Sequence, residues 1–344
     1  MRGPVVCGHH RVQSLTSTLH AALGALSVLG VVLISSSPMR SLAQAAGNLQ
    51  NLPSPANQAG GSAPAAITLP HGKIWTLFDA ARPLAEAKSI AGLGPRPSGS
   101  DANNEVRKQI VDRLAAIGWQ TTEQRFSEHA PGGQEIEFCN LSARFTKSEA
   151  STKRILIGAH FDTPPAQEFR DTGASDGAAN TAVLIEIARV LATDPRLAGA
   201  VELLFIDGNA PFQELNLSDG LFGSRFYAQI LHDNQHAGDI QAAVLVENAG
   251  GPRLNYLPNS SQNVVDSFRK GATALGVNLE PANRSMLADH VPFAQAGIPS
   301  ITLLDADSPF LKTADDTVDR LSGDSLAKTG SLILYYLATE TATR

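Results

Sequence analysis

Four short runs of the chain, 154–158, 201–206, 242–246 and 300–304, are almost wholly apolar and rich in β-branched residues. A strand that faces water on one side alternates polar and apolar side chains. Continuous apolar runs of this length therefore predict strands covered on both faces, the condition of a largely parallel sheet held between helices. The sequence between and after the runs supplies the helices, at 178–193, 222–230, 264–275 and 325–339. Ahead of the first run, 77–90 and 103–117 also read as helices, the second with Val106, Ile110, Val111, Leu114 and Ile117 at helical spacing and Gly118 as its stop. Residues 119–126 and 135–145 read as strands joined by Ala130-Pro131-Gly132-Gly133, an antiparallel edge hairpin. The expected fold is α/β: a single domain over 73–344 with a central mixed, mostly parallel sheet flanked by helices.

The first 72 residues have another character. Arg2 and Arg11 precede a mainly apolar run over 21–34, followed by Ser35, Ser36, Ser37, Pro38 and then Ala43-Gln44-Ala45, which reads as a secretory signal peptide over 1–45. The run is shorter than the roughly 20 residues of a membrane span. An uncleaved anchor is the alternative. Residues 46–72 carry no formal charge and are rich in Pro, Gly, Asn, Gln and Ala, the composition of a flexible linker. The protein is thus expected to be exported, periplasmic or secreted, with no membrane span in the mature chain. Loss of Arg2, Arg11 and Arg40 with the signal would take the net charge from −6 to −9, which argues against nucleic acid or anionic membrane as partners. Cys7 would leave with the signal, so Cys139 has no partner for an intrachain disulfide.

Residues able to do chemistry fall directly after the apolar runs: His160 and Asp162, Asp207, Glu247, and Asp305. Ligand sites of open α/β sheets lie at the carboxyl ends of the strands, so these groups are expected to converge. Other signals are weaker. His232 and His236 have metal-ligand spacing but lack a third ligand and read as surface residues. No Gly-x-Ser-x-Gly elbow follows a strand. The glycine-rich 92–99 follows a helix rather than a strand, which is wrong for a phosphate loop. The acidic stretch 305–319 reads mostly as solvated loop.

Taken in order, several motifs resemble one family. These are Gly94-Pro95-Arg96-Pro97-Ser98-Gly99-Ser100, Gly158-Ala159-His160-Phe161-Asp162, Gly173-Ala174-Ser175-Asp176-Gly177-Ala178-Ala179-Asn180, and Phe205-Ile206-Asp207-Gly208-Asn209-Ala210-Pro211-Phe212 with Leu221-Phe222-Gly223-Ser224-Arg225. Pro258-Asn259-Ser260, Asp289-His290-Val291-Pro292-Phe293 and Gly297-Ile298-Pro299 continue the series. The chain is similar over about 74–340 to the M28 zinc aminopeptidases, and most of all to their glutaminyl-peptide cyclotransferase branch. The resemblance implies a protein acting on peptide N-termini. It also implies two zinc ions in the peptidases, bridged by an aspartate, and one in the cyclases, with a glutamate moving the proton.

Placed on that plan, Asp176 is the bridging aspartate, His160 the early histidine and Glu247 the later acid. The adjacent pair of glutamates falls on Asn209 and Ala210, and the late histidine on Lys312. The metal position that cyclases need would keep Asp176 alone, whereas catalytic zinc wants three protein ligands and an open position. Asn209, the residue at the catalytic position, has no group that titrates as a base near neutral pH. Two outcomes follow from the resemblance. His160, Asp176 and Glu247 hold a single zinc, or the protein is metal-free and the Lys312 ammonium pairs with Asp176 in place of the ion. Leu215 and Leu311 stand where tryptophans would wall the substrate pocket, and Asp289 is the residue expected to contact a peptide amino group. The activity reads either as enzyme, with impaired or rewired zinc chemistry, or as a catalytically inactive extracytoplasmic protein that binds peptides or partners.

Overall fold

In the computed structural model the four apolar runs are strands at the centre of one eight-stranded sheet. The structure describes residues 71–147, 151–165, 172–311 and 313–341, all within the unit Ala65–Arg344. The signal peptide and all but the last two residues of the expected linker lie outside the described residues. His71, one of those two, hydrogen-bonds the Asp194 carboxylate at 2.7 Å.

The strands are β1 (Trp119–His129), β2 (Glu135–Phe145), β3 (Arg154–His160), β4 (Val201–Ile206), β5 (Ile240–Val246), β6 (Asn255–Tyr256), β7 (Glu280–Pro281) and β8 (Ser300–Leu304). Their order is β1-β2-β4-β3-β5-β8-β6-β7. The block β4-β3-β5-β8 is parallel throughout, while β2 against β4, β6 against β8 and the β1–β2 hairpin are antiparallel. The sheet is therefore mixed and mostly parallel at its centre, as the sequence predicts.

The helices are α1 (Ala81–Gly92), α2 (Asp101–Ala116), α3 (Ala179–Leu191), α4 (Pro195–Gly199), α5 (Phe222–Asp233), α6 (Gln262–Leu275), α7 (His290–Gln295) and α8 (Gly323–Glu340). Side chains of the parallel block alternate between two apolar layers. Ile155, Ile157, Leu203, Phe205, Val244, Val246, Ile301 and Leu303 pack with residues of α1, α2, α3, α6 and α8. Leu156, Leu204, Ile206, Ala243 and Leu245 pack with Tyr227, Ala228 and Leu231 of α5 and Phe293 of α7. Burial on both faces is why these strands carry no polar alternation. It also orients the sheet, because β3, β4, β5 and β8 all end on the same side, at His160, Ile206, Val246 and Leu304.

The sequence misses four elements. β6 and β7 are two residues each and hold no periodicity to read, and α4 and α7 span hardly more than one helical turn.

Candidate functional site

The turn from β3 into α3 brings the first two groups together. Gly173 and Gly177 both have positive φ, 52° and 93°, and a side chain on Gly177 would stand 3.0 Å from the Asp162 carbonyl oxygen. Between them Asp176 is extended, at φ −111° and ψ 118°, which throws its carboxylate out of the helix. It does not cap α3, whose N-cap is Ala178 with no side-chain bond. Instead Asp176 Oδ1 lies 2.8 Å from His160 Nε2. Asn180 donates to the same oxygen at 3.3 Å, and its own Oδ1 accepts the Ala249 N–H at 2.9 Å.

Asp162 organises the next loop. Its two oxygens accept the backbone N–H groups of Asn209 and Ala210, at 3.0 and 3.1 Å, and Oδ1 lies 3.4 Å from His160 Nδ1. Asn209 in turn donates its amide Nδ2 to Asp289 Oδ2 at 2.9 Å, while Ser224 donates to Asp289 Oδ1 at 2.6 Å. The Asp289 N–H is bonded to Glu247 Oε1 at 3.1 Å. His160, Asp162, Asp176, Asn209, Glu247 and Asp289 thus form one network at the carboxyl ends of β3, β4 and β5.

Below it lies a fully buried arginine. Arg96 donates from Nε to Phe161 O at 3.1 Å, from Nη1 to Gly94 O at 2.9 Å and Thr172 O at 2.6 Å, and from Nη2 to Gly173 O at 3.2 Å. One planar guanidinium so fixes both the segment carrying His160 and the turn carrying Asp176.

Burial and like charge set the protonation. Glu247 is pushed up to about 8, first by burial and then by Asp289, with His160 acting against the rise. Burial likewise raises Asp289, opposed by His160 and by the bonds from Ser224 and Asn209. For His160 burial works against the charge, yet Asp176 and Asp162 outweigh it and hold the imidazole well above its ordinary range.

Several expectations need correction. Asp207 does not reach the network. It is 1% exposed and accepts from Ser98 Oγ, Asn103 Nδ2 and the Cys139 N–H, and burial beside Asp162 pushes it up to about 7. Asp305 is also buried, and it holds the Arg253 and Asp307 backbone rather than facing a ligand. Asp316, in the stretch read as solvated, is 2% exposed and accepts the Ser175 N–H at 2.9 Å. Asp289, expected to contact a peptide amine, is 1% exposed, with its two oxygens accepting from Asn209 and Ser224.

Leu215 lies half-buried in the loop 209–221 and Leu311 half-buried in the loop after β8. Lys312 lies outside the described residues. His232 and His236 are exposed, each beside its own aspartate, Asp233 and Asp239. Sequence reasoning gave no part to Asn180, Ser224 or Arg96. None of them titrates near neutral pH, and their only signal was membership of the quoted motifs.

As placed, these donors do not fit a zinc ion. His160 Nε2 is hydrogen-bonded to Asp176, one Glu247 oxygen accepts the Asp289 N–H, and Ala210 has no donor atom. Among the described residues no group of three His, Cys, Asp or Glu side chains is arranged to hold a metal.

Comparison with known proteins agrees with the fold. Residues 140–337 match the family model described as Peptidase family M28. The chain is 25% identical over 305 residues to a glutaminyl-peptide cyclotransferase-like protein of Bos taurus, covering 78% of this chain and 75% of that one. It is 26% identical over 269 residues to a glutaminyl-peptide cyclotransferase of Drosophila melanogaster, covering 68% and 75%. Among solved structures, an Acidobacteriales bacterium glutaminyl cyclase superposes with a TM-score of 0.70 at 24% identity, over 83% of this chain and 100% of that one.

Proposed function

The chain belongs to peptidase family M28, and on that premise we propose that it is an exported protein of the glutaminyl cyclase type that engages peptides at their amino-terminal residue without the family's zinc chemistry. The donor set carries this reading. Of the three positions that would hold a cyclase's metal, Asp176 alone is an acid or histidine, the others being Ala210 and Lys312. One carboxylate does not hold zinc, and Asn209 does not take up a proton.

What remains suits recognition of an amine. Asn209 spends its amide N–H on Asp289, which leaves its carbonyl oxygen as an acceptor. Asn209, Asp176 and Glu247 are partly open to solvent, unlike the buried Asp289. Acceptors of this kind match the N–H groups of a free amino terminus. The rival reading keeps a rewired enzyme, with one zinc on His160, Asp176 and Glu247.

Calorimetric titration with short peptides, paired with a turnover assay on glutaminyl and aminoacyl fluorogenic substrates, separates the two. Binding is expected for peptides with a free amino terminus, to be lost on N-acetylation and to weaken in Asn209→Leu, with no product formed with or without added zinc. Chelator-sensitive turnover that disappears in His160→Ala would overturn the proposal in favour of the enzyme.

A further inference from the structure

The two edges of the sheet are built differently. β7, at one edge, is two residues long and ends in Pro281, which lacks a ladder N–H. β1, at the other, is an eleven-residue strand with no proline, paired to β2 in one unbroken register and with no strand on its outer side among the described residues. Proteins ordinarily blunt such an edge with short strands, proline or bulges, because its free N–H and C=O groups pair readily with another strand. β1 carries charges, Glu123, Arg125 and Glu128, which also blunt an edge, but it is neither short nor interrupted by proline or a bulge.

The hairpin is also held rigid beyond the part that joins the sheet. β2 pairs with β4 only over 141–143, yet the far half of the hairpin is fixed by Phe126, stacked 5.2 Å from Phe138 and 4.1 Å from Phe226 of α5. An edge already ordered loses little freedom when a second strand arrives.

The sequence of β1 selects its partner. In an antiparallel pair of two copies centred on Gln124, all eleven residues overlap, and Glu123 of each copy lies opposite Arg125 of the other. Thr122 then meets Phe126, and Gln120 meets Glu128. Centring one residue earlier sets Glu123 against Glu123, and one later sets Arg125 against Arg125. The longest overlap is therefore also a charge-matched one. Within its own chain Arg125 already bridges Glu123 and Glu137, each at 2.6 Å, so in the pair Glu123 of the second copy would join that cluster.

We propose that β1 is a self-association edge, through which two copies of this chain join their sheets in antiparallel register about Gln124. This inference is independent of what the site binds.

Sedimentation of the whole protein over a wide range of concentration tests it. The wild type is expected to form a concentration-dependent dimer. Arg125→Glu, which sets like charges opposite each other at two symmetric positions, is expected to weaken the dimer about tenfold. The double variant Glu123→Arg/Arg125→Glu, which restores the match with the signs exchanged, is expected to recover it. Both residues are exposed, and unchanged thermal unfolding of the variants will show that they fold. In parallel, amide exchange in β1 of the wild type is expected to slow as concentration rises. A monomer at every concentration, a dimer indifferent to Arg125→Glu, or β1 amides that exchange equally fast in the dimer would overturn the proposal.

Discussion

The two loops that meet at the network are held by different means. The turn over 172–178, which carries Asp176, is gripped from outside, by the Arg96 guanidinium below it and by the Asp316 carboxylate on the Ser175 N–H. The loop over 209–221, which carries Asn209 and Ala210, is largely tied to itself. The Asp219 carboxylate accepts the N–H groups of Phe212, Gln213 and Glu214, and Asn216 folds back on Ser218 and Asp219. Its bond to the rest of the network runs through Asp162 and the Asn209–Asp289 pair. The self-contained loop carries Asn209 and Ala210, the two positions on which the resemblance would place a pair of glutamates. Side chains there can change without disturbing the core, whereas Asp176 sits in a frame that a substitution would break.

Breaking the outside grip should cost most. Arg96→Leu strands buried carbonyl groups of both site segments and is expected to lower stability by about 3–5 kcal/mol, read from denaturant midpoints. Asp219→Ala removes only the internal tie of the other loop. A loss of about 1–2 kcal/mol is expected, with faster proteolysis confined to 209–221. Equal costs for the two variants would erase the distinction.

A third experiment sharpens the electrostatic side. Glu247 titrates higher in the folded protein, at about 8, than its ordinary 4.5, so the native state binds the extra proton between these values. Stability from this group is present below about pH 4.5 and lost as pH rises through about 8. Glu247→Gln is expected to flatten that fall, measured as the unfolding midpoint against pH. A slope unchanged by the variant would place the proton elsewhere.

Much of this frame is legible in the sequence because burial on both faces leaves a plain mark. The runs 201–206 and 300–304 coincide with β4 and β8, and the hairpin lies where its turn residues put it. The site is legible only in part. His160 and Glu247 stand at strand ends and, with Asp176 from the turn into α3, do come together, but Asp207 and Asp305 follow strand ends too and serve the backbone. Position after a strand does not say which way a carboxylate turns. Arg96 is the clearest omission, since an arginine in a loop is ordinarily exposed and nothing local marks it as the buried clamp of two distant segments.

The frame is proposed to stand without a metal, and elemental analysis of zinc in the purified protein, equilibrated with the ion and freed of excess, checks this. Well under one zinc per chain is expected, unchanged in His160→Ala, and stoichiometric zinc only when Ala210→Glu and Lys312→His return the missing donors. One zinc per wild-type chain, lost in His160→Ala, would contradict it.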